Sequence, residues 1–421
     1  MKTTLLLIYL FIQASEFALA WINLKFLKQH GADVPPGFEG SLSPETLRKS
    51  AEYTIANNRL SLAESLFGTL LVVLFLFCGL IEAYDRWLAS LARPFILQGI
   101  MFFILLHLAQ TVLEMPFSLY RNFSLENRYG FNTMTPATWL SDVAKSTLLS
   151  LLLISLLVAG AFALILASPR SWWLWVWLFL TVVSLSLIYL SPLVIEPLFS
   201  KFEPLHSAEL KKAIQSLMGK AGIEVRRVLQ MDASRRSKHS NAYFSGIGKV
   251  KRIVLYDTLL ERLDTPEILA VLAHEAGHWK RHHLLKRLAA TEAVTLFSCF
   301  TAFYLLSEGN LPALFDIDKA SLPAQLVLLG FLFSLPLAVF APLGNWLSRR
   351  QERQADLFAA ELSATPEALA SALVKMSRDN LANLHPHPLY AAVYYSHPPV
   401  LERVRTLLAL KDKDTLEVPM D

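Results

Sequence analysis

Val271-Leu272-Ala273-His274-Glu275-Ala276-Gly277-His278-Trp279-Lys280 contains His-Glu-x-x-His, a spacing that has chemical meaning on a helix. One turn puts His274 and His278 on the same face, where both imidazoles can reach one ion, and Glu275 falls beside them where a metal-bound water would lie. The start signals of that helix are Thr265 as N-cap, Pro266 at the first helical position and Glu267 in the first turn. Lys280, Arg281, His282 and His283 supply positive charge toward its C-terminal part, so helix is expected at least to His283. Zinc-hydrolase chemistry is the leading implication.

A catalytic zinc keeps three protein ligands and an open position. A third His on the same segment would need Gly seven and His ten residues after the first, but those positions hold Arg281 and Leu284. A second helix offers a carboxylate instead. Ser348-Arg349-Arg350-Gln351-Glu352-Arg353-Gln354-Ala355-Asp356 places Glu352 and Asp356 one turn apart. A carboxylate there can ligate, and Asp356 can accept the outer N–H of a bound His; an exposed charged helix would carry the same letters. His282 reads as a surface histidine. The two cysteines, Cys78 and Cys299, both fall in apolar runs, so the ligands must be N and O.

Of the 421 residues, 54% are hydrophobic and 18% charged, a balance far more apolar than that of a soluble globular protein. Apolar runs long enough to span a bilayer lie near 3–22, 61–82, 95–116, 146–168, 172–193, 288–306 and 324–346. The expected fold is mainly α: a multi-pass membrane protein with seven transmembrane helices. It divides into an N-terminal membrane region, 1–199, with five spans, and a region 200–421 that contains the other two and both candidate metal motifs.

With seven spans, one face receives the N-terminus and the loops near 83–94, 169–171 and 307–323, whose basic residues are Lys2, Arg86, Arg93, Arg170 and Lys319 out of 39 in all. The remaining Lys and Arg share a face with the metal motifs, which predicts that face to be cytoplasmic. Ala18-Leu19-Ala20 resembles a signal-peptide cleavage site, but cleavage would export a loop carrying Lys25, Lys28, Arg48, Lys49 and Arg59, so 3–22 reads as a retained span. The net charge of +4 reflects this sidedness, and no nucleic-acid partner is called for.

The block before the motif reads as α with a small β element. Glu209 to Ala221 suits a helix and Val225–Met231 a strand; Ala242–Phe244 and Arg252–Tyr256 suit a strand pair joined through Gly246 and Gly248. His239-Ser240-Asn241-Ala242-Tyr243-Phe244, Lys251 to Leu260, His274–His278, Glu352-x-x-x-Asp356 and Ser396-His397-Pro398-Pro399 occur in that order. With Tyr129-Gly130-Phe131-Asn132 and Ile195-Glu196-Pro197-Leu198-Phe199 upstream, the chain resembles the type I CAAX prenyl proteases over nearly its full length. The related HtpX-like quality-control proteases have a much shorter N-terminal part.

The resemblance implies a helical barrel around a water-filled chamber, capped by a gluzincin-like peptidase domain holding one Zn2+ per chain. It matches His274, His278 and Glu352 to the zinc ligands, Glu275 to the general base and Asp356 to the partner of a ligand His. His397 matches a histidine that steadies the oxyanion, Asn241 an asparagine that contacts substrate main chain beside an edge strand, and Arg403 fits the pattern after His-Pro-Pro. Partners implied are a peptide or protein substrate, including a prenylated C-terminus, and the lipid bilayer. A general quality-control protease and a non-proteolytic scaffold are the other readings. His107, Gln110, Glu114, Glu64 and Glu292 lie within spans and are expected to line the chamber or to bond between helices. The C-terminal Glu417–Asp421, without a basic retrieval signal, points to a bacterial inner membrane in preference to the endoplasmic reticulum.

Overall fold

The computed structural model describes residues 1–35, 38, 42–245 and 250–416. Its helices in the N-terminal half are α1 (Lys2–His30), α2 (Pro44–Val72), α3 (Leu80–Ser90), α4 (Phe95–Tyr120), α5 (Pro136–Ala167), α6 (Trp172–Leu190) and α7 (Glu196–Phe199). The C-terminal half adds α8 (Ala208–Lys220), α9 (Asp257–Leu260), α10 (Thr265–Lys280), α11 (His283–Ser307), α12 (Leu322–Ser363), α13 (Pro366–Asp379), α14 (Pro388–Tyr394) and α15 (Val400–Leu416). Among the described residues seven helices are long and apolar enough to cross a membrane, those built on α1, α2, α4, α5, α6, α11 and α12. They match the seven apolar runs of the sequence.

Local chemistry sets several boundaries. Ser43 caps α2 by accepting from Thr46 N at 3.2 Å, and Thr135 caps α5 by accepting from Thr138 N at 3.1 Å. A proline follows each cap, where its missing N–H leaves no partner wanting. Wide π-helical turns extend α2, α4 and α6 over Val73–Phe77, Arg121–Glu126 and Ser191–Ile195. The span expected over 61–82 stops at Phe77: Gly79 takes φ 83°, where a Cβ would be strained, and the chain turns into α3.

The last span departs most from expectation. It does not end near 346 before a separate helix carrying Glu352 and Asp356; α12 runs 42 residues to Ser363, roughly 63 Å, about twice the hydrocarbon thickness. The reason is burial, since Glu352, Ala355, Asp356 and Ala359 form a stripe that α12 buries beyond the span.

The basic-rich loops share a face. Arg236 bonds Asp142 at 2.7 and 3.0 Å, Lys145 Nζ donates to Leu198 O at 2.9 Å, and Tyr53 donates to Glu126 at 2.7 Å. On the other face Ser321 N donates to Asp85 at 2.8 Å, joining the loops near 83–94 and 307–323.

The block between the fifth and sixth spans holds a four-stranded sheet in the order β1 (Phe202–Pro204), β2 (Glu224–Met231), β4 (Val250–Tyr256), β3 (Ala242–Ser245). β2 and β4 are parallel; β1 and β3 are antiparallel edge strands, β3 in the register Ala242↔Leu255. Sequence patterning missed β1, which is three residues long and ends in proline. Gly246 and Gly248, expected in the β3–β4 turn, lie outside the described residues. Ile253 and Leu255 of β4, Ile214 and Met218 of α8, and Ile268, Leu272, Ala273 and Ala276 of α10 share one core.

Polar groups inside the spans divide between two roles. His107 borders a cavity of about 230 Å³, Gln110 an adjoining one of about 370 Å³, and Glu114 both. Glu64 lines the second and takes Arg121 at 2.6 Å. Glu292 instead accepts from Thr181 at 2.5 Å, a bond between α6 and α11.

Candidate metal centre

The cap of the motif helix lies one residue earlier than expected. Asp264, not Thr265, is the N-cap: its side chain accepts from Glu267 N at 3.2 Å while Glu267 accepts from Asp264 N at 3.0 Å. A capping box needs cap and glutamate three residues apart, a spacing that Asp264 has and Thr265 lacks. The helix also ends sooner, at Lys280; His282 adopts φ 57° and a new helix begins at His283. His282 is exposed, as expected, whereas this break brings the buried His283 against His278.

Gly277 lets α10 approach α12. A Cβ at this position would lie 3.0 Å from Ala355 Cα and 3.1 Å from Ala355 O. That contact brings the two motifs together, although two spans separate them in sequence. His274 Nε2 lies 3.2 Å from His278 Nε2 and 3.4 Å from Glu352 Oε2, and His278 Nε2 lies 3.2 Å from Glu352 Oε1. Ligand atoms about 2.0–2.1 Å from a tetrahedral zinc would stand roughly 3.3–3.4 Å apart, and the closest approaches in this triangle of side chains, made through different oxygens of Glu352, are near that size. Glu352 Oε2 is buried without a hydrogen-bond partner and lies 3.4 Å from His274 Nε2.

The outer nitrogens orient the rings. His274 Nδ1 donates to Asp356 Oδ1 at 2.8 Å, and in the neutral ring that a metal would bind this leaves the Nε2 lone pair facing Glu352. Gln354 Oε1 lies 3.0 Å from His283 Nε2, and His283 Nδ1 lies 3.0 Å from His278 Nδ1. If Gln354 accepts, His283 carries its proton on Nε2 and accepts from His278 Nδ1–H; His278 Nε2 is then free to ligate. The reversed amide would put a proton on His278 Nε2 and block it. Nothing in the sequence patterning singled out His283 or Gln354, because their relation arises from a helix break and a helix crossing.

Arg403 closes the rear of the site. It is buried, bonds Asp356 through Nε at 2.8 Å and Nη2 at 2.6 Å, and reaches within 4.0 Å of Glu352. Three carboxylates, Glu275, Glu352 and Asp356, thus face one guanidinium, a deficit that a divalent cation fits. Burial pulls His274 down, but Asp356 and Glu352 more than reverse this and carry it up to about 9, so the pocket draws positive charge. Burial pushes the half-buried Glu275 carboxyl above its ordinary value, against the opposing effect of His274 and His278.

The remaining candidates lie around the triangle. His397 is largely exposed, with Nε2 3.5 Å from Glu352 Oε1 and Nδ1 3.0 Å from Ser396 Oγ. Asn241 is exposed at the head of β3; its Oδ1 accepts from Ala242 N at 2.8 Å, and its backbone carbonyl accepts from Tyr256 N at 3.1 Å. β3 packs beside α10, the helix that carries His274 and His278.

Comparison with known proteins agrees with this arrangement. A family model described as the CAAX prenyl protease N-terminal region, with five membrane helices, matches residues 23–201, and one for peptidase family M48 matches residues 204–411. The chain is 32% identical over 388 residues to a CAAX prenyl protease 1 homolog of Arabidopsis thaliana, covering 89% of this chain and 90% of that one. It is 30% identical over 417 residues to CAAX prenyl protease 1 of Saccharomyces cerevisiae, covering 92% and 91%. The crystal structure of S. mikatae Ste24p superposes with a TM-score of 0.89 at 28% identity, covering 96% of this chain and 98% of that chain. Sequence, membrane architecture and fold agree, and the chain belongs to the CAAX prenyl protease branch of the M48 peptidases, a family of membrane metalloproteases.

Proposed function

We propose that the protein is a zinc endopeptidase that cuts CAAX-like C-termini or other membrane-associated peptides, with His274, His278 and Glu352 holding one zinc ion. The observation that carries this is the cluster of His274, His278 and Glu352, with closest approaches of 3.2–3.4 Å and one carboxylate oxygen, Oε2, that is buried without a hydrogen-bond partner. Zinc bound there would supply a water of lowered pKa and polarise a carbonyl. Glu275, its carboxyl pushed up by burial, would take a proton from that water and deliver it to the leaving amine. With Ser396 donating to Nδ1, His397 presents Nε2–H to the carbonyl oxygen as it gains charge. The open edge of β3 pairs with an extended peptide, and Asn241 at its head offers its amide to the substrate main chain. Asp356 and Arg403 hold the ligands.

The division into a membrane region, 1–199, and a peptidase region, 200–421, belongs to this reading, as does a chamber reached through the cavities beside α4. The catalytic face is proposed as cytoplasmic because the basic loops gather on it. A bacterial inner membrane, read from the compact loops between spans, is the proposed setting.

The test is cleavage of a farnesylated CAAX-type peptide and its unprenylated twin by purified protein in detergent, with Glu275→Gln as control and bound zinc counted. Cutting of the prenylated form alone, lost in the control with zinc retained, is the expected result. Equal cutting of both would replace this substrate with a general quality-control role. Undiminished cutting by the control would remove Glu275 from the mechanism.

A further inference from the structure

Remote from the metal centre, a groove of about 820 Å³ opens where α6 leaves its membrane span and meets β1 and β2. Lys201, Lys211, Arg226, Arg227 and Arg252 line it, with Glu203 the one acid among the described lining residues. Arg252 is structural: it donates to Pro192 O and to Glu196 at 2.7 Å each, which pins the exit of the span to the sheet. Arg226 has Glu224 at 3.7 Å. Lys201, Lys211 and Arg227 have no carboxylate partner among the described residues, and all three are exposed.

Two features make this more than a charged surface. In a regular strand Arg226 and Arg227 would point to opposite faces. The ladder between β2 and β4 shifts register between Val225 and Arg227, a bulge that lets both arginines line the same groove. The groove is also continuous with apolar surface: Pro192, Leu193 and Pro197 form its wall, and Leu193, Val194 and Leu198 are each about half exposed on the turn ending the span. Cations above and exposed aliphatic side chains below match a molecule with an anionic head and hydrocarbon tails. A soluble anion would use only the upper half.

We propose that this groove binds the headgroup of an anionic phospholipid from the leaflet on the peptidase side, with the acyl chains along the outer face of the α6 exit. Occupancy would hold the β1–β2 edge of the sheet against the membrane while β3, at the opposite edge, stays open.

The test uses the full-length protein in detergent, with lipid binding followed by native mass spectrometry. Phosphatidylglycerol should bind saturably, phosphatidylcholine should not, and added salt should weaken the complex. Each of Lys201→Gln and Arg227→Gln should weaken phosphatidylglycerol about 5-fold, and the triple variant with Lys211→Gln about 100-fold. Lys319→Gln, on the opposite face, should leave binding unchanged. Bound metal and thermal unfolding report whether the triple variant folds, and the single variants decide the matter if it does not. Equal binding of the two lipids, or undiminished binding by the variants, would overturn the proposal. Competition by millimolar inorganic phosphate would reduce the site to one for a free anion and overturn the lipid assignment.

Discussion

Gly277→Ala tests whether close helix approach sets the metal centre. A methyl group at this position would lie 3.0 Å from Ala355 Cα, 3.1 Å from Ala355 O and 3.3 Å from Ala355 Cβ. Carbon atoms sit comfortably at about 3.5–4.0 Å, so α10 and α12 would have to part by about 0.5 Å. No rotamer change relieves the clash, because two of the three atoms are backbone in a helix interior. The ligand atoms are already 3.2–3.4 Å apart, and a metal site tolerates about 0.2 Å in its bond lengths. Overpacking costs about 1–3 kcal/mol. Expressed wholly in metal binding, that is a loss of roughly 5- to 150-fold. Chelator competition on the full-length protein in detergent measures it, with thermal unfolding of the metal-free protein in parallel. Metal affinity should fall within that range while the metal-free protein still folds. Unchanged metal affinity would refute the argument that the crossing distance holds the triangle.

Gln354→Leu removes the acceptor that fixes the protons of His283 and His278, and metal affinity should fall about 10-fold. Gln354→Glu, which can only accept, should retain it, and chelator competition that ranks the two variants alike would exclude the relay. Arg403→Lys keeps the charge but loses the two-point grip on Asp356, so activity at limiting metal should drop at least about 10-fold and recover in part with excess metal. An unaltered metal titration would count against it. Burial lowers the pKa of His385, despite its 2.7 Å bond to Asp33 O and with His30 nearby opposing a second charge. A lowered folded value means this contribution is whole above the ordinary pKa of about 6.5 and is lost as pH falls through the folded value. Unfolding temperature should therefore decline less for His385→Gln than for the parent between pH 7.5 and 5.5; parallel curves would dismiss it.

The legible parts of this protein were those written in short range. Seven spans follow from apolar runs because a bilayer demands about 20 apolar residues regardless of what packs beside them. His274, His278 and Glu275 follow from helical pitch, and Asp356 from its place one turn after Glu352. Boundaries were read less well. Asp264 displaced Thr265 as cap once its reciprocal bonds with Glu267 were visible, and α12 continued past the end of its apolar run because its next turns are buried.

What required the tertiary structure was every relation between distant segments. Sequence alone determined the seven candidate spans, the helical pair of histidines and a candidate carboxylate, since each depends on composition or on spacing within one element. It held no measure of how close α10 comes to α12, and so could not show that Glu352 closes on both histidines. The same limit hid the relay through His283 and Gln354, the grip of Arg403 on Asp356 and the basic groove at the α6 exit. Their geometry comes from a helix break, a helix crossing and a strand bulge, and packing decides these because the local sequence is compatible with more than one path of the chain.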